Sequence, residues 1–241
     1  NMHKKTVSAW ENRFSAQKET LALYAFCHDF ISLIFEGDEL YTIVGKRGAP
    51  SDSTGWTIVI MERASRFLVD QRCGGRTSEL FETVMRTVCQ FVDQAHDLTF
   101  LSDGERRYGK TLFSLCAETL RTGQRGCPPK VLPRGVKVRV KNKGDQKHKR
   151  GPKRPKYQAP HREHPETSQN LLDAEIQANR LEAQNASKRR RNSAFRRQTN
   201  TYAKTDEGLQ RTLDVDWVIH NFVRPHWTTG VVPAVALGIV N

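Results

Sequence analysis

Between Lys4 and Ile34 the apolar residues Val7, Trp10, Phe14, Leu21, Leu23, Tyr24, Phe26, Phe30 and Leu33 recur at three- and four-residue intervals, the spacing that lines one side of a helix. The pattern predicts one or two helices there. Thr6-Val7-Ser8-Ala9-Trp10 reads either as a plain packing helix or as the recognition helix of a helix-turn-helix. From Leu40 the texture changes to short runs rich in β-branched and aromatic residues: Leu40–Val44, Trp56–Met61 and Phe67–Asp70, divided by Gly, Pro, Ser and Asp. These predict three neighbouring strands joined as hairpins. A helix is expected from Thr77, with Thr77 or Ser78 as its cap, to about Ala95, because Leu80, Phe81, Val84, Val88, Phe91 and Val92 form an apolar stripe. Leu98–Ser102 is apolar until it meets Asp103 and predicts a fourth strand, followed by a helix over Tyr108–Leu120 that Gly123 and Gly126 end.

The order of three strands, helix, strand and helix is an α/β pattern with a mixed sheet. Pro128–Pro165 is dense in Pro, Gly, Lys and Arg, and reads as a basic loop in which only Val136, Val138 and Val140 alternate like a strand. No Gly or Pro interrupts Glu166–Arg197, so a long helix is expected there, and Val215–Phe222 predicts a short one that Pro225 stops. No internal repeat is visible. A helical segment over 1–35 and one larger domain over 36–241 follow from these patterns.

Charge sharpens the picture once it is placed along the chain. Residues 1–129 carry 16 basic and 16 acidic side chains, whereas 130–164 carry 13 and 2, and 186–212 carry 8 and 2. The net charge of +13 therefore comes from two stretches. Clustered Lys and Arg suit a polyanion such as DNA, which rewards them through counterion release; a solvated basic loop is the plainer account. No run approaches the roughly 20 apolar residues of a membrane span, and no apolar core follows the first residues, so no membrane association and an intracellular, cytoplasmic setting are expected. Cys27, Cys73, Cys89, Cys116 and Cys127 are scattered, odd in number and free of CxxC, which predicts reduced, mostly buried thiols and no zinc ribbon. GxSxG is absent, which disfavours a serine hydrolase. His161 and His164 lack further ligands for a metal site, and His220 and His226 read as packing residues.

Three acids stand where chemistry could gather. Asp38 immediately precedes the expected first strand, Asp103 ends the fourth, and Glu182 lies midway along the late helix. Paired magnesium ions, roughly 3.5–4 Å apart, need carboxylates converging from separate elements. Helical spacing puts Glu175, Glu182 and Asn185 on one face, with Arg189 further along it. Glu175, Glu166 and Asp173 are rivals for the third acid; singly, each of these residues also reads as a turn former or a solvated charge.

Gly37-Asp38-Glu39-Leu40-Tyr41-Thr42-Ile43-Val44-Gly45-Lys46, Leu101-Ser102-Asp103-Gly104 and Asn179-Arg180-Leu181-Glu182-Ala183-Gln184-Asn185 together resemble the three acidic motifs of the DDE transposases of bacterial insertion sequences, in particular the insertion sequence one group. The tail Trp217-Val218-Ile219-His220-Asn221-Phe222-Val223-Arg224-Pro225-His226, with Pro233-Ala234-Val235-Ala236-Leu237-Gly238, is similar to the close of such enzymes, so the resemblance spans Gly37 to Val240. It implies an RNase H-like mixed sheet and Asp38, Asp103 and Glu182 as catalytic residues and ligands of Mg2+ or Mn2+. It further implies transposon ends and target DNA as partners, DNA cleavage and strand transfer, a homodimer or higher oligomer on DNA, and association with the bacterial nucleoid. Asn185, Lys188, Arg189, Arg190, Arg191, Arg196 and Arg197 on the late helix, with Lys147, Lys149, Arg150, Lys153 and Arg154 in the basic loop, are then expected to hold DNA. Arg180 stands where relatives often carry His, and the zinc ribbon and complete helix-turn-helix that usually precede the core are not in the sequence, which fits a truncated copy. A metal-dependent nuclease of the same fold and a catalytically silent DNA-binding protein are the alternatives.

Overall fold

In the computed structural model, residues 3–46, 48–93, 96–121, 123, 125–142, 155–169, 171–172, 176–196 and 201–241 are described. The chain runs α1 (Lys4–Phe26), β1 (Ile34–Tyr41), β2 (Trp56–Glu62), β3 (Leu68–Gly74), α2 (Ser78–Cys89), β4 (Leu98–Ser102), α3 (Arg107–Cys116), β5 (Glu118–Thr119), β6 (Lys130–Val131), β7 (Val136–Lys141), β8 (Tyr157–Gln158), α4 (Asn179–Arg191), α5 (Asp206–Phe222) and α6 (Pro233–Ala236). A six-stranded mixed sheet of order β3-β2-β1-β4-β7-β8 forms its centre. β1 pairs antiparallel with β2, and β2 with β3; β1, β4 and β7 are parallel neighbours; β8 closes the far edge antiparallel. The fold is therefore α/β with helices on both faces of a mixed sheet, as the pattern of runs predicts.

Period-two alternation divides the strands between two cores. Ile58 and Ile60 of β2 join Phe35, Phe81, Val84, Phe100, Tyr108 and Val138 under α2 and α3. Their neighbours Val59 and Met61 face the other way, packing with Leu40, Leu68, Leu181, Leu213 and Trp217 under α1, α4 and α5. On β1 the same parity sends Phe35 to the first core and Leu40 to the second, so Glu36, Asp38 and Leu40 share the α4 side.

Several elements depart from the sequence pattern. β1 begins six residues before the expected Leu40, so Asp38 sits within the strand rather than ahead of it. The late helix is only Asn179–Arg191, and a short 3-10 turn over Ser193–Phe195 follows. The closing helix is longer than expected, starting at Asp206 behind the Thr205 cap. The helix after Thr77 ends at Cys89, and the one after β4 at Cys116. α1 is a single helix, but Val7, Trp10 and Phe14 face solvent, while Lys18, Ala22 and Ala25 turn inward. None of the five cysteines forms a disulfide, and Cys27 and Cys127 are exposed, contrary to the expected burial. No described helix is long and apolar enough to cross a membrane.

A helix whose inward face is short of large apolar groups needs another anchor, and Lys18 supplies one. Its ammonium, only 2% exposed, donates to Asp70 Oδ1 on β3 at 2.7 Å, and Thr87 of α2 and Arg72 also reach the Asp70 carboxylate. Burial alone would raise the Asp70 pKa, but Lys18 and Arg72 hold it below its ordinary 3.8. Removing one partner of such a pair strands the other charge in the interior and costs about 3–5 kcal/mol. Lys18→Met is expected to lower the unfolding free energy by that amount at pH 7, measured by urea denaturation. The ionised Asp70 contributes stability that is complete above pH 3.8 and is lost as the pH falls below it. The acid-side decline should therefore be shallower in the variant, and a loss under about 1 kcal/mol would show the pair to be dispensable.

Candidate active site

Parallel pairing of β1 with β4 brings Gly37 opposite Ser102, so Asp38 and Asp103, one residue further on, emerge side by side from adjacent strands. Strand spacing of about 4.8 Å sets the scale of that neighbourhood. Two glycines make the arrangement possible. A Cβ on Gly37 would lie 2.6 Å from the Phe100 ring and 3.3 Å from Tyr108. Gly104 takes φ +74° and turns the chain immediately after Asp103, a turn that Ser102 Oγ closes by donating to the Glu105 carbonyl at 3.1 Å.

The third contribution comes from α4, whose first turn is docked on β1 by a buried ion pair. Glu36, fully buried, accepts from Arg63 Nε at 2.7 Å and from the Leu181 backbone N–H at 2.9 Å. Arg63 also donates to the Gln177 carbonyl. The carboxylate thus satisfies one of the open N–H groups at a helix start that no capping side chain serves. Glu182 follows Leu181 directly, and Asn185, one turn on, donates through Nδ2 to Asp38 Oδ2 at 2.8 Å.

Electrostatics tie the three acids together. Burial raises the Asp38 pKa above its ordinary value; the Asp103 and Glu182 charges add to that rise, while hydrogen bonds from the Glu39 backbone and Asn185 oppose it. Lys141 Nζ, at the end of β7, stands 3.4 Å from Asp103 Oδ1, an attraction of charge without a hydrogen bond. Asp103 Oδ1 and Asn185 Oδ1 are buried acceptors that no donor meets. Glu182 itself is exposed, and no three His, Cys, Asp or Glu side chains among the described residues stand close enough to cage a metal. The trio approaches without closing, and its donors are all hard oxygens.

The expected DNA-holding residues fall into three groups. Arg190, Arg191 and Arg196 are exposed and Arg189 is half-buried. Lys188 departs from the expectation: it is buried, donating to Asp216 Oδ2 at 2.8 Å and to Gln71, so it ties α4 to α5 and β3 rather than facing solvent. Lys147, Lys149, Arg150, Lys153, Arg154 and Arg197 lie outside the described residues, as do the rival acids Asp173 and Glu175. Glu166 is paired at the surface with Arg134. Part of the basic excess is also turned inward, since Lys137 pairs with Asp97 and Arg139 with Glu163.

His220 is buried between Gln184 and the Arg66 carbonyl, which leaves it neutral, with burial the main cause of a pKa lowered to about 4. His161 stacks on Phe113. Glu36 and Arg63 belong to no motif of the sequence. The only sign of Glu36 is its position two residues before Asp38, on the same strand face.

Comparison with protein-family models, curated proteins and solved structures finds no match to this chain.

Asp38 offers a direct test of the site's electrostatics. Because its folded pKa is raised, ionisation is penalised in the native state; the penalty appears as the pH rises above 3.8 and is complete above the folded value. Asp38→Asn keeps an acceptor for Asn185 and removes the charge. Its melting temperature at pH 7 should exceed that of the parent by about 2–4 °C, the shift that ~1 kcal/mol gives in a chain of this size, and the difference should shrink toward pH 4. Equal or lower melting at pH 7 would mean that burial and the neighbouring carboxylates do not penalise the ionised Asp38.

Proposed function

We propose that this chain is a DDE transposase, an RNase H-like polynucleotidyl transferase that cleaves DNA and joins the freed 3′ end to a target strand. The observation that carries the reading is that Asp38 and Asp103 each follow directly on the paired Gly37 and Ser102 of two parallel strands, with α4 docked beside them by Glu36. The strand order β3-β2-β1-β4-β7, with β2 antiparallel between β1 and β3, supports the RNase H-like assignment. So does the agreement of this arrangement with the three acidic motifs of the insertion-sequence enzymes.

The residues fit a divalent cation of the magnesium or manganese kind. Asp103 Oδ1 and Asn185 Oδ1 are buried oxygens lacking donors, and the Asp38 carboxyl is burdened by the neighbouring acids, a condition that a cation relieves. When bound, such ions supply an activated water or 3′-hydroxyl and stabilise the departing oxygen. Asp38 and Asp103 would be the principal oxygen ligands, and Glu182 would complete the set from the helix. Asn185 holds Asp38 in one orientation, while Glu36 and Arg63 fix the height of α4 above the strand. Arg189, Arg190, Arg191 and Arg196 attract the phosphate backbone, which positions DNA without reading its sequence.

The test uses the intact chain with DNA carrying the element ends. Magnesium-dependent nicking and strand-transfer products are expected, and Asp38→Asn, Asp103→Asn and Glu182→Gln should each abolish both. Glu36→Gln, acting through helix position, should raise the magnesium concentration needed for half-maximal cleavage by roughly 10–100-fold while leaving DNA binding intact. Cleavage without strand transfer would identify a nuclease instead, and binding with neither reaction a silent DNA-binding protein. Activity that survives all three carboxylate substitutions would remove the triad altogether.

A further inference from the structure

The C-terminal half of α4 and the segment that follows α5 enclose a cavity of about 270 Å³. Ser187, Arg190 and Arg191 line it from the helix, and Arg224, His226 and Trp227 from the segment opposite. Ala183 also borders it. One residue is about 100° of helical rotation, so this face of α4 lies next to the one that carries Glu182.

Two features of the cavity are unexplained by packing. Three guanidinium groups converge there, yet among the described residues none of Arg190, Arg191 and Arg224 forms an ion pair. Asp216, the acid whose charge reaches Arg191, is already held by Lys188 at 2.8 Å. Like charges kept together unneutralised favour an anion between them. Beside them, the Trp227 side chain is 96% exposed, an unusual setting for a large apolar ring. It rides on a turn fixed by hydrogen bonds from His226 N–H to the Val231 carbonyl at 2.9 Å and from Gly230 N–H to the His226 carbonyl at 2.8 Å. A bare inorganic anion would use the arginines but not the indole. A nucleotide uses both, because every base offers a face to stack on and every phosphate a charge.

We propose that this cavity binds single-stranded DNA, with a phosphate held among Arg190, Arg191 and Arg224 and the adjoining base stacked on Trp227. Duplex DNA meets the arginines alone, since its bases are already stacked on one another and cannot cover the indole. The choice of DNA as the polymer rests on the transposase reading; the pocket chemistry does not.

Binding of the intact chain to a fluorescein-labelled oligothymidylate, followed by anisotropy in EDTA, tests the pocket without involving cleavage. The single strand should bind more tightly than a duplex of equal length. Trp227→Ala should weaken it roughly tenfold, Trp227→Phe should restore most of the loss, and Arg190→Ala with Arg224→Ala should weaken it and flatten its salt dependence. Circular dichroism of each variant keeps misfolding apart from lost contact. Unchanged affinity in Trp227→Ala, equal affinity for duplex, or displacement by inorganic phosphate at oligonucleotide concentrations would each overturn the proposal. If the single strand binds as expected while magnesium yields no cleavage, the transposase reading fails and the pocket stands.

Discussion

The Glu36–Arg63 pair is the constraint on which the arrangement of this molecule turns. Both side chains are out of water, at 0% and 4% exposure, and a buried ion pair offsets its desolvation only when further hydrogen bonds meet the remaining donors and acceptors. Here those bonds come from the approach to α4 and its first turn: Leu181 N–H completes Glu36, and the Gln177 carbonyl meets Arg63. Charge satisfaction on β1 and helix placement are therefore one requirement. Because side chains two apart on a strand share a face at roughly 6.6–6.8 Å, the clamp that places α4 lies one pleat away from Asp38. Slippage of the helix would take the Leu181 donor from the buried Glu36 carboxylate and the Gln177 acceptor from Arg63, so the position of Glu182 and Asn185 is set by bonds they do not make themselves.

The same device recurs wherever a helix lacks an apolar face. α4 turns Leu181, Gln184, Asn185 and Lys188 inward, a helical stripe by spacing in which only one member is apolar. Gln184 meets His220, Asn185 meets Asp38, and Lys188 meets Asp216 and Gln71. α1 repeats the theme with Lys18 against Asp70. By contrast α2, which adds the Thr87 contact with Asp70, presents Leu80, Phe81, Val84, Met85 and Val88 to the sheet. Hydrophobic burial organises the α2–α3 face and seats α5; paired charges and polar contacts place α1 and α4 on the face that carries the acids.

This difference explains what could be read in the sequence. β4 was legible to the residue, because Leu98–Ser102 is buried on both faces and so forms an unbroken apolar run. The start of β1 was hidden by Glu36, Gly37 and Asp38, which by composition resemble a turn and in the fold are a strand whose polar residues have partners. Absence of Gly and Pro over-extended α4, since it permits a helix without requiring one. The stripe on α1 was seen, yet its inward side could not be, because Val7, Trp10 and Phe14 face solvent. Lys188 was grouped with Arg189, Arg190 and Arg191 as a charge run; only the three-dimensional placement of Asp216, 28 residues later, separates it from them. The candidate acids are legible as positions, but beyond the place of Glu36 two residues before Asp38 the sequence does not mark Glu36 and Arg63, because their meaning lies in one another.

α4 consequently does three things with 13 residues. One stripe docks, with its polar members satisfied. A second edge carries the exposed Glu182, whose charge adds to the burial that works against ionisation of Asp38. A third exposes arginines beside Trp227. Each use constrains the others, since rotating the helix to shield Glu182 would break the Asn185 contact and bury the arginines. Groups held against their own electrostatic preference mark places where a fold has been shaped by something other than its stability. Asp38, beside the start of α4, and the unneutralised arginines toward the end of that helix both meet that description.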